Sequence, residues 1–212
     1  MSVNGRKIFI DIDCTVNNYA ELWCKKLNEK FKKNVKYEDI TRYDINAVFQ
    51  ISQKATLSVI DDQFYDELKV LNLVHKNLKK LIEKGFNIYF VTSTPPNEAQ
   101  MKANWIKQNF PYIDSKSIIY AEDKSVLAGD FFIDDNTYHI IESECKHKFI
   151  FTQPWNEFAA IHENVVRVYD WDQIYRKIIE ITESENNQPV ISLTNNGMLY
   201  ICNNNDIPKI FF

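Results

Sequence analysis

Six short apolar runs, most of them ended by polar residues, alternate with segments of helical spacing along the chain. The apolar runs cover residues 7–12, 86–91, 117–120, 130–133, 148–151 and 165–169, and the helical segments cover 16–31, 71–83, 97–110 and 171–182. Short continuous apolar runs are typical of parallel strands, because helices cover both faces of a parallel sheet. The alternation therefore predicts an α/β protein whose core is a Rossmann-like, three-layer parallel sheet.

Glycine content and charge exclude several alternatives to such a core. The chain of 212 residues has only 4 glycines, and it contains neither GxGxxG nor GxxxxGK[ST]. A fold built on a glycine-rich phosphate loop is therefore not expected. The net charge of −4 argues against binding to a nucleic acid polymer, which needs a dominant basic face.

The four cysteines lie far apart, and no CxxC pair occurs. The N-terminal residues lack the basic and then apolar pattern of a signal peptide, and no apolar stretch reaches the length of a membrane span. These features predict a reduced, cytoplasmic protein without a membrane partner.

The interval between the first two predicted strands is too long for a simple connection between parallel strands. About 70 residues separate the first two strands, whereas a crossover needs far fewer. We interpret residues 16–70 as a small helical cap inserted after the first strand, with residues 1–15 and 71–182 forming the core. Residues 183–189 resemble a linker, and Asn195-Asn196-Gly197 predicts a β-hairpin turn between 190–194 and 198–202. This hairpin could pair with a sheet edge or with a partner chain, so a homodimer is considered.

Polar residues gather where the predicted strands end. They are Asp11, Asp13, Thr92, Ser93, Asp134 and Asp135, with Lys124 just ahead of the fourth strand and Lys116 as a competing lysine. Ligands bind at the carboxyl ends of strands in an open parallel sheet. Four carboxylates there would repel one another without a cation, and Mg²⁺ is the usual cation beside a phosphate. The hydroxyls and the lysine are suitable donors to phosphate oxygens.

Asp11 and Asp13 are two residues apart at the end of a strand. Residues at this spacing point to the same side of a strand. Both carboxylates can therefore face one pocket, where one attacks phosphorus and the other handles a proton.

The order of these motifs resembles the haloacid dehalogenase superfamily of phosphotransferases. Its pattern of DxDx[TV], Ser or Thr, Lys and an acidic pair corresponds to Asp11 to Thr15, Thr92, Lys124 and Asp134-Asp135, and the likeness spans residues 8–155. The insertion after the first motif resembles the C1 cap class. Within the superfamily, residues 91–95, 133–136 and 151–156 are most similar to the 5′(3′)-deoxyribonucleotidases of cytosolic type C.

The resemblance implies a role for each matching position. Asp11 would form an aspartyl-phosphate, and Asp13 would protonate the leaving alcohol and then activate water. Mg²⁺ would be held by the side chains of Asp11 and Asp134 and the main-chain carbonyl of Asp13, with Asp135 as a second or outer ligand. Phosphate would be bound by Thr92 and Lys124, helped by Ser93. Cys14 is a departure, because the resembled nucleotidases usually carry Gly there, and it puts the shape of the pocket in doubt.

The predicted cap contains six aromatic residues that could stack on a nucleobase: Tyr19, Trp23, Tyr43, Phe49, Phe64 and Tyr65. Most of them must form the core of the cap itself. Phe64 is the preferred base-stacking residue, with Tyr19, Trp23 and Tyr43 as further candidates, and Arg42 and Lys54 as possible polar contacts. The favoured substrate is a small phosphate monoester, a nucleoside monophosphate.

Three other functions are considered. A related phosphatase acting on a sugar phosphate would have a cap pocket lined by charged and hydroxyl groups, whereas an aromatic lining favours a base. A receiver-like signalling domain usually has its phospho-acceptor on a middle strand and lacks a large cap. A non-catalytic phosphate-binding module would not need the full set of catalytic residues that is present here.

Overall fold

The computed structural model describes residues 5–96, 98–187, 190–193, 199–202 and 209–210. Its centre is a sheet of six strands, which are β1 (Lys7–Asp11), β2 (Asn87–Thr92), β3 (Ile118–Tyr120), β4 (Phe131–Asp134), β5 (His147–Phe151) and β6 (Val165–Val168). Their order is β3-β2-β1-β4-β5-β6, and all neighbours are parallel. The predicted α/β fold is confirmed. The order changes direction beside β1, which is where such sheets bind ligands.

Both faces of the sheet are buried. On β1, Ile8 and Ile10 are fully buried in one apolar cluster, while Phe9 faces a second cluster on the opposite side. The first cluster also contains residues from the helices α5 (Val74–Glu83), α6 (Ala99–Asn109) and α8 (Trp171–Asn187), and the second contains Ile140 of α7 (Thr137–Glu142). Helices on two sides of one sheet give the predicted three layers.

All four predicted helices differ from the observed ones at a boundary, and two of these differences have a visible cause. Helix α5 begins at Val74 rather than at residue 71, because Leu73 has a left-handed backbone (φ 67°) that ends the preceding turn. Helix α8 continues to Asn187, so a linker over residues 183–187 is wrong. Glu185 explains the extension, since Arg6 (2.7 Å) and His147 (2.9 Å) bind its carboxylate and hold the last turns against the core.

The segment between β1 and α5 is helical. It comprises α1 (Tyr19–Phe31), a 3-10 turn (Tyr37–Asp39), α2 (Ile45–Phe49), α3 (Gln53–Leu57) and α4 (Asp62–Glu67). Side chains of Asp44, Ser52 and Asp61 cap the last three helices at their N-termini, which shows why short helices form here.

The cap segment leaves and rejoins the core at one place. The N–H of Asn18 donates to the carbonyl of Lys69 (3.1 Å), and the N–H of Leu71 donates to that of Val16 (2.9 Å). An antiparallel bridge between Asn17 and Val70 lies between these bonds. The two connecting segments therefore form a narrow hinge beside the end of β1.

Three further strands follow α8. Strand β7 (Val190–Leu193) pairs antiparallel with β8 (Leu199–Cys202), and β8 pairs with β9 (Lys209–Ile210). The first pair corresponds to the predicted hairpin, while the Asn195-Asn196-Gly197 turn lies outside the described residues. Among the described helices, none has the length and apolar character needed to cross a bilayer.

Candidate active site

A tight turn follows β1 and carries both acids of the DxD motif. The N–H groups of Thr15 (3.3 Å) and Val16 (2.9 Å) donate to the carbonyl of Ile12, and Cys14 takes a left-handed backbone with φ 62°. Asp11 is buried at the strand end, whereas the side chain of Asp13 retains 25% exposure. Both face the same cavity. The turn thus presents a buried carboxylate and a partly open one to a single ligand.

The acidic pair after β4 completes a compact oxygen cluster. Carboxylate oxygens of Asp11, Asp134 and Asp135 all lie within 4.8 Å of one another, and all three residues are buried. Hard divalent cations such as Mg²⁺ prefer oxygen ligands of this kind, so the donor set fits the ion. The side chain of Asp13 is not in the cluster, and its predicted metal role therefore depends on its main-chain carbonyl.

Lys124 is the lysine that lies at this cluster. It is 1% exposed, its Nζ contacts Asp11, and it lies 2.8 Å from Oδ2 of Asp134. Burial alone would favour its neutral form, but the two carboxylates raise the pKa of Lys124 above its ordinary value, so the amine is charged. Lys116 is exposed in a 3-10 turn and does not line the cavity.

One lysine does not neutralise three buried carboxylates. Burial, together with the charges of Asp134 and Asp13, raises the pKa of Asp11 to about 7 despite the opposing effect of Lys124. Burial and the charges of Asp134 and Asp11 raise the pKa of Asp135 well above its ordinary value. The pKa of Asp134 is lowered, because Lys124 and a hydrogen bond with His139 (3.2 Å) outweigh its burial. A divalent cation would supply the missing positive charge.

Thr92 and Ser93, at the end of β2, differ in how they face the cavity. Thr92 is 1% exposed, and its Oγ1 lies 3.1 Å from Oγ1 of Thr94. Ser93 is exposed, and its hydroxyl donates to the carbonyl of Ala121 (3.0 Å). Both residues line the cavity, but only Thr92 has a hydroxyl that is not committed to a main-chain carbonyl.

Lys102 is a site residue that the sequence analysis missed. It lies on α6 and is 2% exposed; its Nζ contacts Oδ2 of Asp13 and lies 3.5 Å from Oγ1 of Thr92. It lines the same cavity as Lys124. Lys102 shares the buried face of its helix with Trp105 and Ile106, at spacings of three and four. A lysine on the apolar face of a helix that follows a motif strand is the signal that could have identified it.

A cavity of about 220 Å³ separates the sheet end from the cap. Its cap-side lining includes Tyr19, Trp23, Ile40, Tyr43, Ile45 and Leu57. Three of the four predicted substrate-binding aromatics therefore line it. Arg42 and Lys54 are exposed and do not line it.

The preference for Phe64 as the base-stacking residue is not supported by the geometry. Phe64 is completely buried in the apolar cluster that joins cap and core, and it does not line the cavity. Its ring packs edge-on against Tyr19, with ring centres 5.0 Å apart. Phe64 therefore supports the cavity wall from behind.

Two more residues connect this wall to the core. Trp155 lines the cavity, its indole N–H donates to Oδ2 of Asp135 (2.9 Å), and its ring meets Tyr43 edge-on. Glu98, at the start of α6, is 4% exposed and accepts hydrogen bonds from the hydroxyls of Tyr19 (3.3 Å) and Tyr65 (3.4 Å). Burial raises the pKa of Glu98. Neither residue was predicted to belong to the site.

Comparison with solved structures defines the class of fold. A haloacid dehalogenase-like protein from Agrobacterium tumefaciens aligns with a TM-score of 0.59 at 11% identity, covering 84% of this chain and 100% of that one. A Bacillus subtilis protein described as a HAD-hydrolase bound to magnesium gives a TM-score of 0.54 at 13% identity, covering 83% and 99%. The chain has the haloacid dehalogenase-like fold that its motif order predicted.

Sequence comparison narrows this class to a family. Residues 6–183 match the family described as 5′ nucleotidase, deoxy (pyrimidine), cytosolic type C protein. A 5′(3′)-deoxyribonucleotidase from Clostridium acetobutylicum is 31% identical over 171 residues, which cover 80% of this chain and 92% of the relative. The chain belongs to this family and is a phosphate monoester hydrolase, as the sequence analysis predicted.

Proposed function

We propose that the chain is a Mg²⁺-dependent 5′(3′)-deoxyribonucleotidase that acts through an aspartyl-phosphate. The observation that carries the proposal is the set of Asp11, Asp134 and Asp135, whose carboxylate oxygens lie within 4.8 Å of one another at the base of a cavity with an aromatic wall. Relatives named 5′(3′)-deoxyribonucleotidase, which the chain matches over most of its length, give further support.

Asp11 and Asp13 divide the chemistry. A carboxylate oxygen of Asp11 attacks phosphorus, the bond from phosphorus to the ester oxygen breaks, and Asp13 gives its proton to the departing alcohol. Asp13, now ionised, takes a proton from water as the water oxygen attacks phosphorus. The bond between Asp11 and phosphorus breaks, which releases inorganic phosphate and regenerates the carboxylate of Asp11 and the protonated Asp13.

The charge of the phosphoryl group is balanced by this chain's own cations. Lys124 and Lys102 are both buried, and Lys124 contacts Asp11 whereas Lys102 contacts Asp13. The hydroxyl oxygen of Thr92 lies 3.5 Å from Nζ of Lys102. When bound at the three carboxylates, Mg²⁺ would supply charge neutralisation at phosphorus. Fixed positive groups in a buried site stabilise a charged transition state without reorganisation.

The cap side of the cavity favours a nucleotide over a sugar phosphate. Tyr19, Trp23 and Tyr43 contribute rings, and the other cap residues in the lining are aliphatic. Aromatic faces stack on any base, whereas a sugar phosphate needs hydroxyl and charged partners. Closure of the cap would also exclude water from the phosphoryl group.

The test is phosphate release with Mg²⁺ from deoxynucleotides, ribonucleotides and sugar phosphates, with Asp11→Asn assayed alongside. We expect deoxynucleotides to react fastest and the variant to lose at least about 10³-fold in turnover. Chelation of the metal should abolish activity, and added Mg²⁺ should restore it. Fastest turnover of sugar phosphates would refute the nucleotidase assignment, whereas unchanged turnover of a folded Asp11→Asn would refute the nucleophile.

A further inference from the structure

We infer that Asn17 is a positioning residue, which holds the carboxyl group of Asp13 for proton transfer to the leaving alcohol. This inference rests on the proposed function, because it takes Asp13 as the acid. Asn17 is 1% exposed at the start of the cap hinge. Its side chain does not line the active-site cavity, so it acts through Asp13 and not on the substrate.

The two oxygens of Asp13 have different partners. Oδ1 accepts a hydrogen bond from the Nδ2 of Asn17 at 3.1 Å, and Oδ2 contacts Nζ of Lys102. Lys102 is a long, charged side chain that alone would draw the carboxylate toward α6. The amide of Asn17 binds the other oxygen, so the carboxylate of Asp13 is held at both oxygens instead of one.

The orientation of the Asn17 amide is determined by the main chain. Its Oδ1 accepts hydrogen bonds from the N–H groups of Cys14 (3.1 Å) and Tyr19 (3.1 Å). Two N–H donors require an oxygen at that position, so the NH₂ group must be the end that faces Asp13. The bond to Asp13 is therefore a consequence of the fold of the turn.

The same amide links the acid to the cap. Tyr19 is the first residue of α1, and its ring forms part of the cavity wall. Cys14, the other main-chain partner, has the left-handed backbone that turns the chain after Asp13. One side chain thus connects the acid, the turn and the first helix of the cap. Proton transfer requires the acid within hydrogen-bonding distance of the alcohol oxygen, and small misplacements are costly.

The variant that reverses this contact is Asn17→Asp. It keeps an oxygen for the N–H groups of Cys14 and Tyr19, but it replaces the donor to Asp13 with a second carboxylate oxygen, so an attraction becomes a repulsion. Asn18→Ala is the matched control. Oδ1 of Asn18 accepts from the N–H of Lys69 (2.9 Å) in the same hinge, and its Nδ2 lies at Glu21 rather than at Asp13.

The measurement compares two leaving groups. A deoxynucleoside alcohol needs a proton to leave, whereas the p-nitrophenolate of p-nitrophenyl phosphate leaves with little help. The ratio kcat/KM reports the steps up to departure of the leaving group, and later hydrolysis of the aspartyl-phosphate does not affect it. We expect Asn17→Asp to lower kcat/KM for the deoxynucleotide about 10- to 100-fold and that for p-nitrophenyl phosphate by less than about 3-fold. Asn18→Ala should change the ratio between the two substrates by less than about 2-fold.

The other possible results distinguish a failure of this inference from a failure of the proposed function. Equal losses on both substrates, or no loss on either, would overturn the inference and leave the nucleotidase proposal intact. A wild-type protein that hydrolyses p-nitrophenyl phosphate but no nucleotide would overturn the proposed substrate, and an alkyl phosphate that it does hydrolyse would then serve for the comparison. A wild-type protein that hydrolyses no phosphate ester would overturn both.

Discussion

The indole Nε1 of Trp155 lies 2.9 Å from Oδ2 of Asp135, so a ring in the cavity wall is hydrogen-bonded to one carboxylate of the acidic cluster. A side chain that hydrogen-bonds to a metal-coordinating residue fixes the orientation of that residue. Removing such a hydrogen bond typically lowers the affinity for the metal. We expect Trp155→Phe, which keeps a ring but loses the N–H, to raise the Mg²⁺ concentration for half-maximal activity about 10-fold.

A second cavity tryptophan provides the control for that titration. The Nε1 of Trp23 donates to the carbonyl of Thr56 (2.8 Å), within the cap. Trp23→Phe should leave the Mg²⁺ requirement within about 2-fold of wild type, whatever it does to substrate affinity. Equal shifts in both variants would refute the link between Trp155 and the metal.

Lys102 should be as important for catalysis as Lys124, the lysine that the motif pattern predicts. Replacing it with Met keeps the buried stem but removes the charge beside Asp13, and we expect kcat/KM to fall about 10²-fold. Lys107, exposed on the same helix, provides the matched control. Lys107→Met should be within about 2-fold of wild type in the same phosphate-release assay. Similar activities for the two variants would mean that Lys102 is only structural.

The C-terminal end of α8 should make folding stability dependent on pH. Burial acts to raise the pKa of Glu185, but hydrogen bonds from Lys146, His147 and Arg6 outweigh it and lower that pKa to about 2. A depressed pKa in the folded state stabilises the protein above the unfolded pKa, ordinarily 4.5, and this contribution is lost as pH falls from there toward 2. Glu185→Gln should therefore lower the free energy of unfolding by about 2 kcal/mol at pH 7, and the difference should shrink at low pH.

Urea denaturation at pH 7 and at pH 3 measures this effect. Glu180 is the control, because it forms an exposed ion pair with Lys177 (2.9 Å) on the same helix. Glu180→Gln should change the free energy of unfolding by less than about 0.5 kcal/mol. A Glu185→Gln difference that stays constant with pH would contradict the prediction.

Shortening the side chain of Tyr19 should affect substrate binding, whereas shortening that of Phe64 should affect folding stability. Tyr19 lines the cavity, so Tyr19→Leu should raise the KM for deoxynucleotides about 10-fold, the loss expected for one stacked base. Phe64 is buried behind it, so Phe64→Leu should lower the free energy of unfolding by about 1 kcal/mol and leave KM within about 3-fold. A larger KM effect at Phe64 would restore it as a substrate-binding residue.

The sheet and its acidic ends could be predicted because their signals are local. Strand β4 is a continuous apolar run that ends in Asp134 and is followed directly by Asp135, and the parallel arrangement brings such strand ends to one edge. The later extent of α8 was missed because Glu185 is held by Arg6, which is distant in sequence. Composition alone made those last turns look like a linker.

Lys102 and Phe64 also show that positions which depend on tertiary packing could not be predicted from the sequence. Lys102 resembles a surface lysine until α6 packs against the sheet, because only that packing directs it to Asp13. The preference for Phe64 rests on its position in the sequence, but the side of a helix that faces a cavity depends on how the cap packs on the core. Residue types at strand ends are predictable from sequence, whereas distances between helices and strands depend on tertiary packing.

The hinge in which the N–H of Leu71 donates to the carbonyl of Val16 has a consequence for protein engineering. Because the insertion starts and finishes at neighbouring points, its helices can be exchanged for those of another chain without altering the strand order of the sheet. The bonds of Asn17 to Asp13 and to the N–H of Tyr19 show where the splice should fall. We expect a chimera joined after Asn17 to keep this chain's chemistry and to take the substrate preference of the protein that supplies the new helices.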